Sequence, residues 1–189
     1  IVEGQRGTGK TMLLRYFSVE VQCSMLAAKA DEPKNAVQYF RTSRLPLGVY
    51  CCLTNAGVNR SDFEELRNHA RQRVLFEHIT ALFVLCRVID AVRTLAEQST
   101  EKLLSALDHL YLCKILRVTP SDATWSEADR LRALLDEVEL QRVAANQHLS
   151  SLLPGGTPTD FNPWLDLPFA LFSVLARFKD ALRLTAPIF

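Results

Sequence analysis

The 189-residue sequence lacks any long uncharged apolar run. A membrane-spanning helix needs about 18 or more such residues, so the chain is expected to cross no membrane. Its most apolar stretches, 79–86 and 167–176, are short and read as buried helix. A charge of one sign is lacking too. The 22 Lys and Arg against 21 Asp and Glu leave a net charge of +1, which excludes a broad electrostatic attraction to nucleic acid or to a membrane surface. DNA contact through a local patch stays open. Cysteine is sparse and odd in number: five, at 23, 51, 52, 86 and 113. Their spacing matches no zinc motif, and the expected state is reduced, intracellular thiols packed as small apolar groups. The four histidines (69, 78, 109 and 148) have no partner at metal-ligand spacing, so packing or surface roles are expected for them. No internal repeat or low-complexity segment stands out, and no signal-peptide pattern is read in these residues. The chain opens at Ile1 without Met, inside an expected strand, so the true N-terminus is expected to lie upstream.

What is present begins at once. Residues 4–11 read GQRGTGKT and satisfy G-x-x-x-x-G-K-[ST] with Gly4, Gly9, Lys10 and Thr11. Each position has a task. Gly4 lets the chain leave a strand and turn. Gly7 and Gly9 let bare backbone approach an anion and adopt positive φ. The N–H groups from Gly7 through Thr8 to Thr11 then converge on phosphate oxygens at the positive end of a helix. Lys10 supplies a full charge to the β- and γ-phosphates. Thr11 offers a hydroxyl to Mg²⁺, which takes most of its shell from phosphates and water. The context fits the motif: Ile1-Val2 read as the end of a buried strand. Met12 stands at the head of a helix carrying Leu13, Leu14, Phe17, Val21 and Met25. The loop is therefore expected to bind a nucleoside phosphate.

That first helix is expected over 10–28. A loop with Pro33 and Asn35 follows, then a β-branched, aromatic and Cys-rich stretch at 48–54, expected as a buried parallel strand with Cys51 and Cys52 on opposite faces. From Asn59 onward the pattern turns helical. Ser61-x-x-Glu64 heads a long helix through Leu75, Ile79, Leu82, Cys86 and Ile89 to Glu97, apolar on so broad a face that more than one neighbour should cover it. A second helix is expected over 101–116, with Leu103, Leu104, Leu107, Tyr111 and Ile115 on its face. Thr124-x-x-Glu127 is expected to cap a third, with Leu131, Leu135, Val138, Ala145, Leu149 and Leu152 as its stripe. Asp129, Asp136, Glu137 and Glu139 read as its solvated side. Residues 154–168 form a Pro- and Gly-rich loop. Pro168 sits in the first turn of a last helix with Leu171, Leu175, Phe178 and Leu182 inward. Asp90 ends an apolar run as a Mg²⁺-binding acidic strand would. The helical spacing of Leu82, Cys86 and Ile89 nevertheless makes it a helix-surface residue. Ile188-Phe189 read as the first residues of another strand.

These residues carry a resemblance. The run VEGQRGTGKTMLLRYFS, the second strand LGVYCCL, the helical stretch after it and the closing APIF are similar to bacterial AAA+-type P-loop ATPases related to the origin-recognition-complex group. The likeness is specific over roughly the first 20 residues and rests on element order beyond them. It implies an α/β fold, a P-loop NTPase core with a partial parallel sheet and a large helical insertion. The N-terminal part of the core would span 1–58, the insertion 59–184 and the start of the acidic Walker B strand 185–189. It implies ATP and Mg²⁺ as cofactors. Gly4, Gly7, Thr8, Gly9 and Met12 would lie around the phosphates, with Lys10 as phosphate-binding and catalytic residue and Thr11 as metal ligand. Arg6 matches in identity without a role. The resemblance further implies a homo-oligomer in the cytoplasm, with a DNA or protein partner reached through regions outside these residues. The acidic pair, sensors and arginine finger are expected beyond Phe189, and the chain by itself is expected to have an incomplete sheet and marginal stability.

Three functions remain open on the residues alone: an ATPase driving a conformational change, a nucleotide-gated signalling switch similar to NLR-like ATPases, and a small-molecule kinase. The kinase would need an Arg-rich lid, and no such cluster is visible.

Overall fold

The structure is a computed structural model, and it describes residues 15–28, 36–43, 46–52, 70–122, 124–152, 161–162 and 164–188. Six helices are formed among them: α1 (Val19–Ala28), α2 (Ala36–Thr42), α3 (Ala70–Glu97), α4 (Ala106–Leu116), α5 (Glu127–Ser151) and α6 (Leu167–Ala181). The expected mostly helical character holds. Sheet structure among the described residues is limited to two isolated parallel bridges, Ser18 with Gly48 and Leu47 with Ile188.

Helix α3 is the axis of the fold. Leu75, Ile79, Leu82, Leu85, Ile89, Val92 and Leu95 are each at most 2% exposed, and their spacing wraps well beyond one face. Such a helix needs cover on several sides, and α3 packs against α1, α5 and α6. It ends at Glu97, as expected; the expected cap at Ser61 and Glu64 lies outside the described residues. Helix α5 packs against α3, and its buried residues include Leu131, Leu134, Val138, Ala145 and Leu149. Asp129, Asp136 and Glu137 face solvent. Glu139 does not fully do so: it accepts from the Cys86 thiol at 3.3 Å and pairs with Arg142. Burial, first, and the Glu139 carboxylate, second, push the Cys86 thiol far above its usual range, while Arg142 holds Glu139 low.

Several local expectations are corrected. The first helix does not run unbroken through 10–28. Arg15 and Tyr16 are helical, Phe17 turns, Ser18 bridges to Gly48, and α1 starts at Val19. Ser18 followed by Glu20 is itself a helix-start pattern, and the break resets the helical phase. The buried stripe is therefore Val19, Gln22, Cys23 and Leu26, while Met25 is 37% exposed. The stretch after Asn35 is not all loop, because Ala36, Val37 and Phe40 bury one face of α2.

The second helix starts at Ala106 rather than at 101. Ser105 and Asp108 form a reciprocal capping box there, and the backbone N–H groups of Leu103 and Leu104 donate to Glu127 instead, at 2.9 and 2.8 Å. Leu103 and Leu104 are buried as its lead-in, Leu107 and Tyr111 are exposed, and Leu112, Cys113 and Leu116 form the inner face. With Glu127 so engaged, the expected cap at Thr124 is replaced. Ser126 accepts from the Asp129 N–H, and Thr124 bonds Asp122. Leu152 is 44% exposed, so the α5 stripe stops at Leu149.

The last helix matches its reading closely. Pro168 lies in the first turn, Phe178 and Leu182 are fully buried, and Leu171 and Leu175 are partly so. Asp90 sits in mid-α3, where Arg93 donates to it at 2.7 Å, as befits a helix-surface residue. None of the five cysteines forms a disulfide. His78 and His109 are packed inside, 3% and 5% exposed.

Candidate nucleotide site

Every predicted site residue (Gly4, Gly7, Thr8, Gly9, Lys10, Thr11 and Met12) lies outside the described residues, as do Ile1 and Val2. What the structure describes is the frame immediately downstream. Three segments far apart in sequence meet there. The backbone at Phe17-Ser18, following the glycine motif, lies beside Gly48, with the Val19 N–H donating to the Gly48 carbonyl at 3.0 Å. On the other register position, Leu47, fully buried, bridges in parallel to Ile188. The expected strand at 48–54 is thus reduced to a contact at Leu47 and Gly48. Val49 to Cys52 form no ladder, and the residues beyond lie outside the described set. Of the expected last strand, Ile188 forms a bridge, and Phe189 lies outside the described residues. Parallel neighbours of this kind require crossovers rather than hairpins, and the chain between Leu47 and Ile188 supplies one with the helical body.

Gly48 makes this junction. A Cβ built there would meet the Phe17 carbonyl oxygen at 2.3 Å and its carbonyl carbon at 2.8 Å, so only a glycine lets the two backbones approach. An isolated Gly within an apolar strand-like run is a sequence signal for such an approach, and it was present in LGVYCC.

Side chains lock the same junction from outside. Gln22 donates from Nε2 to the Tyr16 carbonyl at 2.6 Å, satisfying a group freed by the helix break. The Arg15 guanidinium lies over the Tyr50 ring at 5.5 Å. Glu20 on α1 pairs with Arg87 on α3 at 3.0 Å. Burial pushes the Cys23 thiol up to about 11 and raises that of Cys51, so both remain protonated at neutral pH and act as packing groups. Arg41, on α2, ties the far end: its Nε donates to the Leu182 carbonyl at 2.8 Å and its Nη1 meets Glu101 at 2.8 Å. Leu182 caps α6, so a cation stands at the negative end of that helix, six residues before Ile188. Nothing in the sequence pattern singled out Arg41, because its partners lie 60 and 141 residues away.

A cleft of about 450 Å³ opens beside this tie, lined by Arg41, Glu101, Ser105, Asp108, Asp180 and Arg183. Its charges are of both signs and partly paired with one another. Among the described residues no group of three or more His, Cys, Asp or Glu is placed to hold a metal.

A family model described as ORC-CDC6-like matches residues 1–188, nearly the whole chain and including the glycine motif. The chain belongs to the ORC-CDC6-like family. Comparison with curated proteins and with solved structures gives no match. Membership places this ORC-CDC6-like protein with an AAA+-related group and supports a general ATP-binding, ATPase-type function. Among the described residues no helix is long and apolar enough to cross a membrane.

Proposed function

We propose that this ORC-CDC6-like protein binds ATP with Mg²⁺ through residues 4–12, and that hydrolysis in the full-length protein drives a conformational change in an assembly. The reading rests above all on the family match, which spans the motif GQRGTGKT. Lys10 takes the β- and γ-phosphates and Thr11 the Mg²⁺, while Gly4, Gly7, Thr8, Gly9 and Met12 present backbone to the phosphates. Bound Mg²⁺ neutralises developing phosphate charge, and the protein's part is positioning. Residues 1–58 and 185–189 belong to a P-loop core and 59–184 to its helical insertion. The parallel bridge of Leu47 to Ile188 supports that division, since it returns the chain to the core after the helices. A homo-oligomer acting on DNA or a protein partner is the corresponding assembly.

The test is nucleotide binding by the full-length protein, followed with a fluorescent ATP analogue. Lys10→Ala abolishes tight binding, and Thr11→Ala weakens the dependence on Mg²⁺ while leaving metal-free binding largely intact. Wild-type affinity in Lys10→Ala, or unchanged metal dependence in Thr11→Ala, would remove these residues from the site.

A further inference from the structure

Two adjacent helices present an apolar face to solvent. Helices α4 and α6 pack on one another and run antiparallel. Arg117, just after α4, pairs with Asp166 at the head of α6 at 3.3 Å. Asp108, in the first turn of α4, pairs with Arg177 near the end of α6 at 2.7 Å. Inward, α4 buries Leu112, Cys113 and Leu116, and α6 buries Leu167, Val174 and Phe178. Outward stand Leu107, Leu110 and Tyr111 on α4, Leu165 just before α6, and Phe169 and Phe172 on it. Phe169 and Phe172 are 75% and 68% exposed, and no charged residue interrupts 167–176. Together these outward side chains expose on the order of 800 Å² of apolar surface, above the roughly 300–600 Å² of the largest patch on a typical monomer. It is also close to the roughly 800 Å² that each partner buries in a stable complex.

The charges at the ends of this face select its occupant. Asp166 and Arg177 stand at the two ends of α6, and Arg117 and Asp108 at the matching ends of α4. The signs therefore alternate around the four corners. Laying the face on a copy of itself, turned by a two-fold axis across α6, brings each charge opposite one of the other sign. Asp166 of one copy then faces Arg177 of the other, and Arg117 faces Asp108. A two-fold contact requires this self-complementarity, whereas a partner of one sign would meet repulsion at two corners. Shape agrees with charge. With the axis near Phe172, the bulky Phe169 meets the small, exposed Ala176 of the second copy.

We propose that this two-helix face is a dimer interface, with a second copy of the chain docked so that its α6 lies antiparallel on α6 of the first. None of these residues belongs to the nucleotide frame, so the inference stands apart from the nucleotide reading.

The experiment is sedimentation velocity of the full chain, without nucleotide and under reducing conditions, over about 1–100 µM. The expected result is a concentration-dependent shift from 21.3 kDa to twice that mass and no further. Phe169→Glu/Phe172→Glu weakens the association about tenfold or more. Both positions are exposed, so the double variant keeps its fold, which far-UV circular dichroism verifies. Asp166→Arg sets like charges across the two-fold axis at both ends and weakens the association severalfold. Leu140→Glu, at an exposed apolar position on α5, leaves it unchanged. A chain that stays monomeric throughout overturns the proposal and leaves the face to a different protein or to a further part of the same polypeptide. Association that grows past two copies, survives the double variant, ignores Asp166→Arg or weakens equally in Leu140→Glu overturns it as well.

Discussion

Replacing Gly48 with Ala sets a Cβ against the Phe17 backbone, 2.3 Å from its carbonyl oxygen and 2.8 Å from its carbonyl carbon. Neither atom belongs to a flexible side chain, so the two segments must separate. Overpacking of a closed site costs about 1–3 kcal/mol. Separation also weakens the Val19 N–H to Gly48 carbonyl bond, worth about 1 kcal/mol net. Against this, Ala reduces the freedom of the unfolded chain and returns about 0.4–1 kcal/mol. The balance is a destabilisation of about 2 kcal/mol. With a urea dependence of about 1–3 kcal/mol per molar, the unfolding midpoint falls by about 1 M. The assay is urea unfolding by far-UV circular dichroism, with amide hydrogen exchange at Ser18 and Val19 as the local reporter. A midpoint equal to or above that of the parent protein, with unchanged exchange at Val19, refutes the close approach.

Three further outcomes are expected. Arg41→Ala frees the Leu182 carbonyl and Glu101 and costs about 1–2 kcal/mol, since bonds involving a charged group are the stronger kind. Arg41→Lys recovers only part of it, as an ammonium lacks the guanidinium fork, and faster amide exchange at Leu184 reports the loosened α6 terminus. Glu127→Ala leaves the Leu103 and Leu104 N–H groups without their acceptor. About 2–3 kcal/mol is expected to be lost in the same unfolding assay, and a change below a few tenths would contradict the bond.

Acid sensitivity comes from the two packed histidines. Burial lowers the pKa of His78 and, with the Arg130 charge second, that of His109, both below the ordinary 6.5. In addition, Nδ1 of His78 can accept the Trp164 N–H at 3.2 Å only when unprotonated. The unfolded chain therefore binds more protons on the acid side. The contribution is present above about pH 6.5 and is lost as pH falls through that value toward the native pKa values. His78→Gln keeps an acceptor for Trp164 without titrating, so its urea midpoint declines less steeply from pH 7 to pH 5. An identical slope in the variant would count against His78.

Much of the helical body was legible in the residues. The broad apolar periodicity of α3 and its end at Glu97, the inward positions of α5 up to Leu149, and Pro168 in the first turn of α6 all follow from local spacing and from what proline lacks. The segments that frame the candidate site were less so. A helix over 10–28 is a fair reading of its apolar residues, yet Ser18 is drawn into a bridge by Gly48, thirty residues away. Helix α2 is short, and its single buried face resembles a loop until Phe40 is seen packed in the core.

By itself the sequence determined the glycine-rich motif at 4–11, the helical bulk, the absence of a membrane-spanning run and the packing role of several cysteines and histidines. These depend on residue types at short spacing, where steric preference and periodic burial act along the chain. Only the tertiary structure decided which of two caps begins α5, because Glu127 is claimed by the Leu103 and Leu104 N–H groups of another segment. It alone turned Leu107 and Tyr111 outward on α4, and it alone joined Phe17-Ser18, Leu47-Gly48 and Ile188. Such choices rest on competition for burial and hydrogen bonds between residues distant in sequence, a competition that no local pattern records.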